Sequence, residues 1–199
     1  MSENDYNTFK IAVCGDSKTG KSSLCLNLTE QYHVIDPYYY VSTIGIDIMV
    51  LKIHSKTKLV LYDYAGDVRF NIITGSYTRH CSMIIYVYNM RNPSTLDRIK
   101  KIRTIHENIL NIEEYKFLVV GTMKDSYNHK CTDEGIEFAE SIGVKHIEVS
   151  NLNRTGISDV IQYLREQFKE PPEELQIIDL TKESYIDKLK QRYVKCCIL

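Results

Sequence analysis

Eight consecutive residues, Gly15-Asp16-Ser17-Lys18-Thr19-Gly20-Lys21-Ser22, match G-x-x-x-x-G-K-[ST] without a substitution. Glycines at both ends of such a loop let successive backbone N–H groups turn inward around an anion. A helix starting where the loop ends adds its positive dipole at the same point. Lys21 is placed to reach the β- and γ-phosphates of a nucleotide, and the Ser22 hydroxyl to ligate Mg²⁺. The candidate phosphate contacts therefore run from Gly15 through Ser23. The apolar run Phe9-Lys10-Ile11-Ala12-Val13-Cys14 precedes the loop, and Leu24-Cys25-Leu26-Asn27-Leu28 follows it with helical character. Strand, loop and helix are thus expected in that order, with a nucleoside phosphate as ligand. The loop alone leaves kinases, ATPases and GTPases open.

A second group of residues narrows the chemistry. Asp63-Tyr64-Ala65-Gly66 fits D-x-x-G at the end of an apolar strand. Its carboxylate is a candidate for holding Mg²⁺ through water, and the Gly66 N–H for sensing a γ-phosphate. Thr43 sits in the stretch Tyr40-Val41-Ser42-Thr43-Ile44-Gly45, after the first helix, and can complete the metal shell when a third phosphate is present. Ser22, Thr43 and Asp63 are hard oxygen donors of the kind Mg²⁺ takes.

Strands and helices must alternate to bring these residues together, and the pattern of the chain says they do. Residues 45–54 and 58–63 read as an antiparallel hairpin at one sheet edge, joined by Ser55-Lys56-Thr57. Residues 83–88 and 116–121 are near-continuous apolar runs, as buried parallel strands are. Between them Asn92-Pro93-Ser94 opens a helix carrying Leu96, Ile99, Ile102 and Ile109. Thr132 begins another, through Phe138 and Ala139, and residues 146–149 form a short last strand. Ile157, Val160, Ile161, Leu164 and Phe168 make an i, i+3, i+4, i+7 stripe that Pro171-Pro172 is expected to end.

Composition excludes several function classes. With 199 residues, 43% hydrophobic and 26% charged, the chain fits one soluble domain (residues 9–170), a flexible start (1–8) and a tail (171–199). The formal net charge of −1 lacks the cationic field that nucleic-acid binding requires. No run approaches the ~18 apolar residues of a membrane span, and the polar, acidic N-terminus lacks the character of a secretory leader. The six cysteines show no C-x-x-C spacing; Cys14, Cys25 and Cys81 lie in apolar runs as small core residues, which suits a reducing cytosolic setting.

At this point the chain resembles the Ras-like small GTPases, and the Rab family most closely, over residues 9–168. Thr43-Ile44-Gly45-Ile46-Asp47 is similar to the Rab T-I-G-x-D segment. Ala65-Gly66-Asp67-Val68-Arg69-Phe70, continued to Ser76-Tyr77-Thr78-Arg79, is similar to the Rab A-G-Q-E-R-F segment with its S-Y-Y-R-G ending. Ile85-Tyr86-Val87-Tyr88-Asn89 resembles the next family strand. Glu148-Val149-Ser150 resembles E-T-S, and Thr155-Gly156-Ile157 resembles T-G-I. The resemblance implies an α/β P-loop NTPase (Ras-like) three-layer fold, with a six-stranded mostly parallel sheet, one antiparallel edge strand and about five helices. It also implies a monomeric GDP/GTP switch that binds GTP with Mg²⁺, hydrolyses it to GDP and acts in vesicular trafficking. Lys21, Thr43, Gly66 and the residue at Asp67 would then serve the reaction. Expected partners are effectors, an exchange factor and an activating protein, with no nucleic acid. Effectors would read Ile44 and the triad positions Ile48, Tyr62 and Tyr77, where the family's usual Phe and Trp are missing from the first two.

Three departures from the family pattern bear on activity. Asp67 stands where a glutamine orients the attacking water; a carboxylate there repels the γ-phosphate and cannot both donate and accept. Hydrolysis slower than the family's ~10⁻⁴ s⁻¹ is expected. Thr122-Met123-Lys124-Asp125 replaces N-K-x-D. Asp125 can still accept from guanine N1–H and N2–H, and Met123 can pack on the purine face, but lost polar contacts would weaken affinity and speed exchange. The last loop, Ser150-Asn151-Leu152-Asn153-Arg154-Thr155-Gly156, is about two residues longer than S-A-K-T-G, so the amide meeting guanine O6 belongs to Asn151 or Leu152. Tyr38 is the candidate aromatic beside the base, with Tyr40 near it among the nucleotide contacts. A nucleotide-binding effector scaffold with negligible hydrolysis is the alternative that Asp67 and the altered base motif leave open.

The tail carries its own signal. Residues 182–199 hold five basic residues against two acidic ones, and the chain ends Cys196-Cys197-Ile198-Leu199. That is a C-a-a-X form with Leu at X, which favours geranylgeranyl, and a C-C-x-x form that takes two lipids. Two lipids, or one plus basic residues, hold a protein firmly to a membrane. Prenylation machinery is therefore an expected partner, and the cytoplasmic face of an intracellular membrane, with a cytosolic pool, the expected location.

Overall fold

Ile11, Ala12, Val13 and Cys14 are all buried because β1 (Asn7–Cys14) runs through the middle of a sheet covered on both faces. The computed structural model describes residues 6–31, 42–66 and 78–169. Six strands lie in the order β2-β3-β1-β4-β5-β6, with β2 (Ile46–His54), β3 (Thr57–Tyr64), β4 (Met83–Asn89), β5 (Lys116–Thr122) and β6 (Lys145–Glu148). Only the β2–β3 pair is antiparallel, which puts the hairpin at one edge, as expected from sequence. Its turn is tighter than expected, two residues, because Thr57 already pairs with His54.

β1 lies between β3 and β4, the place where the strand order reverses direction. Ligands of open α/β sheets sit in the crevice outside the carboxyl ends of the strands at such a point. The loop that follows β1 is therefore delivered to the ligand-binding end by topology alone.

Four α-helices and one 3-10 turn (Ile112–Glu114) cover the sheet among the described residues. Leu24, Cys25 and Leu28 of α1 (Lys21–Leu28) share a core with Ile157, Val160 and Leu164 of α4 (Ile157–Gln167) on one face. On the other face, Leu96 and Ile99 of α2 (Pro93–Ile109) and Phe138 and Ala139 of α3 (Thr132–Ser141) pack on Ala12, Cys14, Tyr86 and Tyr88. This is the three-layer arrangement expected. The start of α2 follows from its sequence: Pro93 has the fixed φ a first helical turn wants, and the Asn92 side chain accepts from Ser94 N at 3.2 Å.

One local expectation is corrected. α4 does not run on to the prolines; it ends at Gln167, because Phe168 leaves the helical conformation and buries its ring against Phe9, centroids 4.8 Å apart. Cys131 is as buried as Cys14, Cys25 and Cys81. It caps α3, and its thiol donates to Met90 O at 3.3 Å. Burial pushes all four thiols up, so none is a nucleophile at neutral pH.

Candidate functional site

Residues 15–22 leave β1 and enter α1 through Gly20, whose φ of 83° only glycine adopts without strain. Gly15 is tightly confined: an added Cβ would lie 2.2 Å from Val87 O. Lys18 takes a φ of 60° and is exposed, an uncommon conformation for a side chain that is not glycine. Thr19 is fully buried, with its hydroxyl donating to Asp16 O at 2.9 Å. Lys21 is buried, and its Nζ lies across the loop on Asp16 O at 2.7 Å. Burial lowers its pKa, and the Asp63 carboxylate opposes that change.

The three expected metal ligands meet. Ser22 Oγ lies 3.0 Å from Thr43 Oγ1, which donates to Asp63 Oδ2 at 3.3 Å. Asp63 is completely buried at the end of β3, and its other oxygen, Oδ1, has no hydrogen-bond partner. Burial raises its pKa against the pull of Ser22, Lys21 and Thr43. A buried carboxylate with an orphaned oxygen beside two hydroxyls is an all-oxygen donor set that fits Mg²⁺. Gly66 closes the same space: a Cβ there would sit 2.3 Å from Ser17 N, so only glycine allows this approach.

The base end is built from two loops. Ser150 Oγ donates to Asp125 Oδ1 at 2.5 Å and accepts from Leu152 N at 3.3 Å and Asn153 N at 3.2 Å. Ser150 N donates to Thr155 O, and Thr155 is held through Asn153 Oδ1, so the longer loop is closed on itself. Leu152's amide is thus turned back on Ser150. Met123 stands beside Asp125 with φ 68°. Thr122 is fully buried and does not simply forfeit polar contacts: its hydroxyl is 2.7 Å from Thr19 O and 2.9 Å from Tyr88 O, tying β5 to the phosphate loop and to β4.

A family model described as Ras family matches residues 10–170. The chain belongs to the Ras family. Two relatives place it in the Rab branch. Over 169 residues it is 32% identical to "Ras-related protein Rab-18" from Lymnaea stagnalis, covering 83% of this chain and 82% of the relative. Over 174 residues it is 32% identical to "GTP-binding protein ypt1" from Schizosaccharomyces pombe, covering 84% and 83%. Ras-family proteins are GTPases that bind GTP or GDP with Mg²⁺.

Seen as a Rab-type protein, the remaining expected residues divide clearly. Ile44 and Ile48 are 87% and 61% exposed along the entry to β2 and on it, and Tyr62 is half-buried on the neighbouring strand. Tyr38, Tyr40, Asp67, Tyr77, Cys196 and Cys197 lie outside the described residues. Sequence reasoning passed over Asn27, a fully buried amide in α1 that donates to Asn151 O at 3.0 Å. Its signal was present: an amide that follows Leu24 at helical spacing, directly before Leu28, in a helix otherwise read as apolar packing.

Proposed function

We propose that this chain is a membrane-anchored GDP/GTP switch of Rab type in vesicular traffic. The observation that carries the reading is the meeting of Ser22, Thr43 and the orphaned Asp63 carboxylate beside Lys21, with the Asp125–Ser150 pair on the two neighbouring loops. The phosphates are held by loop amides 15–23 and Lys21. Mg²⁺, when bound, supplies a Lewis-acid charge to the β- and γ-phosphates. Ser22, Thr43 and Asp63 orient it. Asp125 reads guanine N1–H and N2–H, with Met123 on the base face. The Asn151 amide meets O6, because the Leu152 amide is engaged by Ser150 Oγ.

Asp67 makes hydrolysis slow, since a carboxylate cannot orient water as an amide does. Slow hydrolysis favours the GTP form and a long-lived effector surface at Ile44, Ile48, Tyr62 and Tyr77. Geranylgeranyl on Cys196 and Cys197, with the basic residues before them, holds the protein on the cytoplasmic face of a membrane.

Single-turnover hydrolysis of bound GTP, with Asp67→Gln alongside and ATP as control, tests the reading. The expected result is slow, Mg²⁺-dependent GTP cleavage that the glutamine variant accelerates. Tight GTP binding with no cleavage in either form would replace the switch with a nucleotide-gated scaffold. Equal handling of ATP would remove the guanine assignment.

A further inference from the structure

Asn151 touches α1 at both of its ends. Its side-chain Nδ2 donates to Gly20 O at 3.0 Å, the carbonyl that also accepts from Leu24 N at 2.9 Å and so begins the helix. Its backbone O accepts from Asn27 Nδ2 at 3.0 Å, one residue before the helix ends. The Asn27 amide is itself fixed by a second bond, to Ser23 O at 2.9 Å. The contact with Gly20 is close, since a Cβ on that residue would be 2.8 Å from Asn151 Nδ2. One residue of the loop facing the base is therefore bolted to the start and the end of the helix that carries Lys21 and Ser22.

These bonds are not the cheapest way to fill the space. Asn27 is fully buried, and both Asn27 Oδ1 and Asn151 Oδ1 are buried without a hydrogen-bond partner. An orphaned buried acceptor is destabilising, and an apolar pair of the same shape would avoid it. Stability alone does not account for two such amides at one loop-to-helix contact. Geometry does: they fix the position of α1 relative to residues 150–156. They run parallel to the tie from Thr122 Oγ1 to Thr19 O, so adjacent carbonyls of the phosphate loop are held by side chains from the two base-facing segments.

We propose that Asn151, clamped by Asn27, is a positioning residue that couples the base site to the phosphate loop and slows nucleotide release. The proposal rests on the nucleotide-switch reading above. Base contacts at Asp125 and Asn151 order the last loop; through Gly20 O and Asn27 that loop holds α1, and with it Lys21 and Ser22, in place for the phosphates. When the base leaves, the last loop is held by its own bonds alone, the anchor at the helix start weakens, and the phosphates follow.

The test uses the full chain with Asn151→Leu and Asn27→Leu, which keep shape but remove the donors, and their double variant. Release of a fluorescent GDP is followed after mixing with excess GDP. Each single variant should release about tenfold faster, and the double no faster than the quicker single, because both act on the same link. GDP should raise the thermal midpoint less in the variants than in the parent, whereas a purely structural role would lower free and bound midpoints equally. Hydrogen exchange of residues 20–24, measured without nucleotide, should quicken in Asn151→Leu, a loop variant that does not disturb the core. Unchanged release and exchange in that variant would overturn the proposal, as would release rates that multiply in the double variant. A parent protein that neither binds fluorescent GDP nor gains a midpoint shift would fail the switch reading instead, and hydrogen exchange would still decide the strut.

Discussion

The two ends of the nucleotide site are built on different rules. At the phosphate end the described residues are those of the Rab pattern, with Asp67 the one departure in sequence, and each has one job suited to its type: a glycine where a Cβ would strike backbone, a buried lysine, and hydroxyls and a carboxylate around one point. At the base end Thr122, Met123, Asn151 and Leu152 all depart from the pattern, yet the loops are closed by side-chain bonds through Ser150, Thr122 and Asn151. Binding phosphate and Mg²⁺ needs fixed charges and oxygen ligands, which have few substitutes. Holding a planar base needs a carboxylate, an apolar face and two loops at the right separation, which several sets of side chains supply. The difference teaches that a divergent base motif is not by itself a lost base site.

The largest expected effect tests the phosphate end. Lys21→Met removes a buried cation without removing bulk, and GDP affinity should fall about 1,000-fold, about 4 kcal/mol. Titration calorimetry at fixed Mg²⁺ measures it. A fall below tenfold would mean that the loop amides suffice, and the contrast between the two ends would disappear.

Next comes a stability effect that should leave both ends alike. On the far face of the sheet Tyr86 OH lies 2.8 Å from His106 Nδ1, with Arg103 on the same helix and Glu107 paired to it. Burial and the Arg103 charge move His106 from its ordinary 6.5 to about 4. The unfolded chain takes up a proton near pH 6.5, whereas the folded chain resists until about pH 4. Stability is therefore full above pH 6.5 and falls by about 3 kcal/mol as pH drops toward 4. Denaturant melts across that range should show the loss, and the double variant Tyr86→Phe, His106→Leu should flatten it. Acid weakening of base affinity in that flattened variant would show that the base end, unlike the phosphate end, owes its shape to a titrating group of its own.

How much of this was legible in the sequence follows from distance along the chain. The phosphate loop reads directly, because its ligands are consecutive and its flanks declare strand and helix. The sheet reads nearly as well: β4 and β5 are continuous apolar runs, and the edge hairpin alternates. Phe168 misled at the end of α4, because a stripe residue fits the helix pattern equally well when it folds back into the core. The base end was least legible. Thr122 and Thr19 are 103 positions apart and Asn27 and Asn151 124 apart, so which carbonyl a hydroxyl or amide finds is set by topology, and no local spacing encodes it. Read locally, Thr122 is a loss; in the fold it is a connection.

Ser150→Ala sharpens the comparison from the base end. Its hydroxyl orients Asp125 and gathers the Leu152 and Asn153 amides, so its removal frees one carboxylate and opens the loop. GDP affinity should drop about tenfold, and the preference for GDP over IDP, which lacks the 2-amino group, should shrink. Affinity for inorganic pyrophosphate should stay unchanged. Loss of pyrophosphate binding by the same factor would show that the two ends are one cooperative unit.

The smallest effect decides how far Thr122 departs from what it replaces. Its hydroxyl has a single proton for two nearby acceptors, Thr19 O at 2.7 Å and Tyr88 O at 2.9 Å, so it serves one of them at a time. An asparagine amide carries two protons and can serve both. Thr122→Asn should therefore gain about one neutral hydrogen bond, about 1 kcal/mol, and slow GDP release about fivefold. No change would mean that the threonine already does the whole work of the amide at this position. A gain of a hundredfold would place the weakness of the base end in this one residue rather than spread over Met123 and the lengthened loop. The single-proton argument excludes so large a gain, because one added neutral hydrogen bond is worth about 1 kcal/mol.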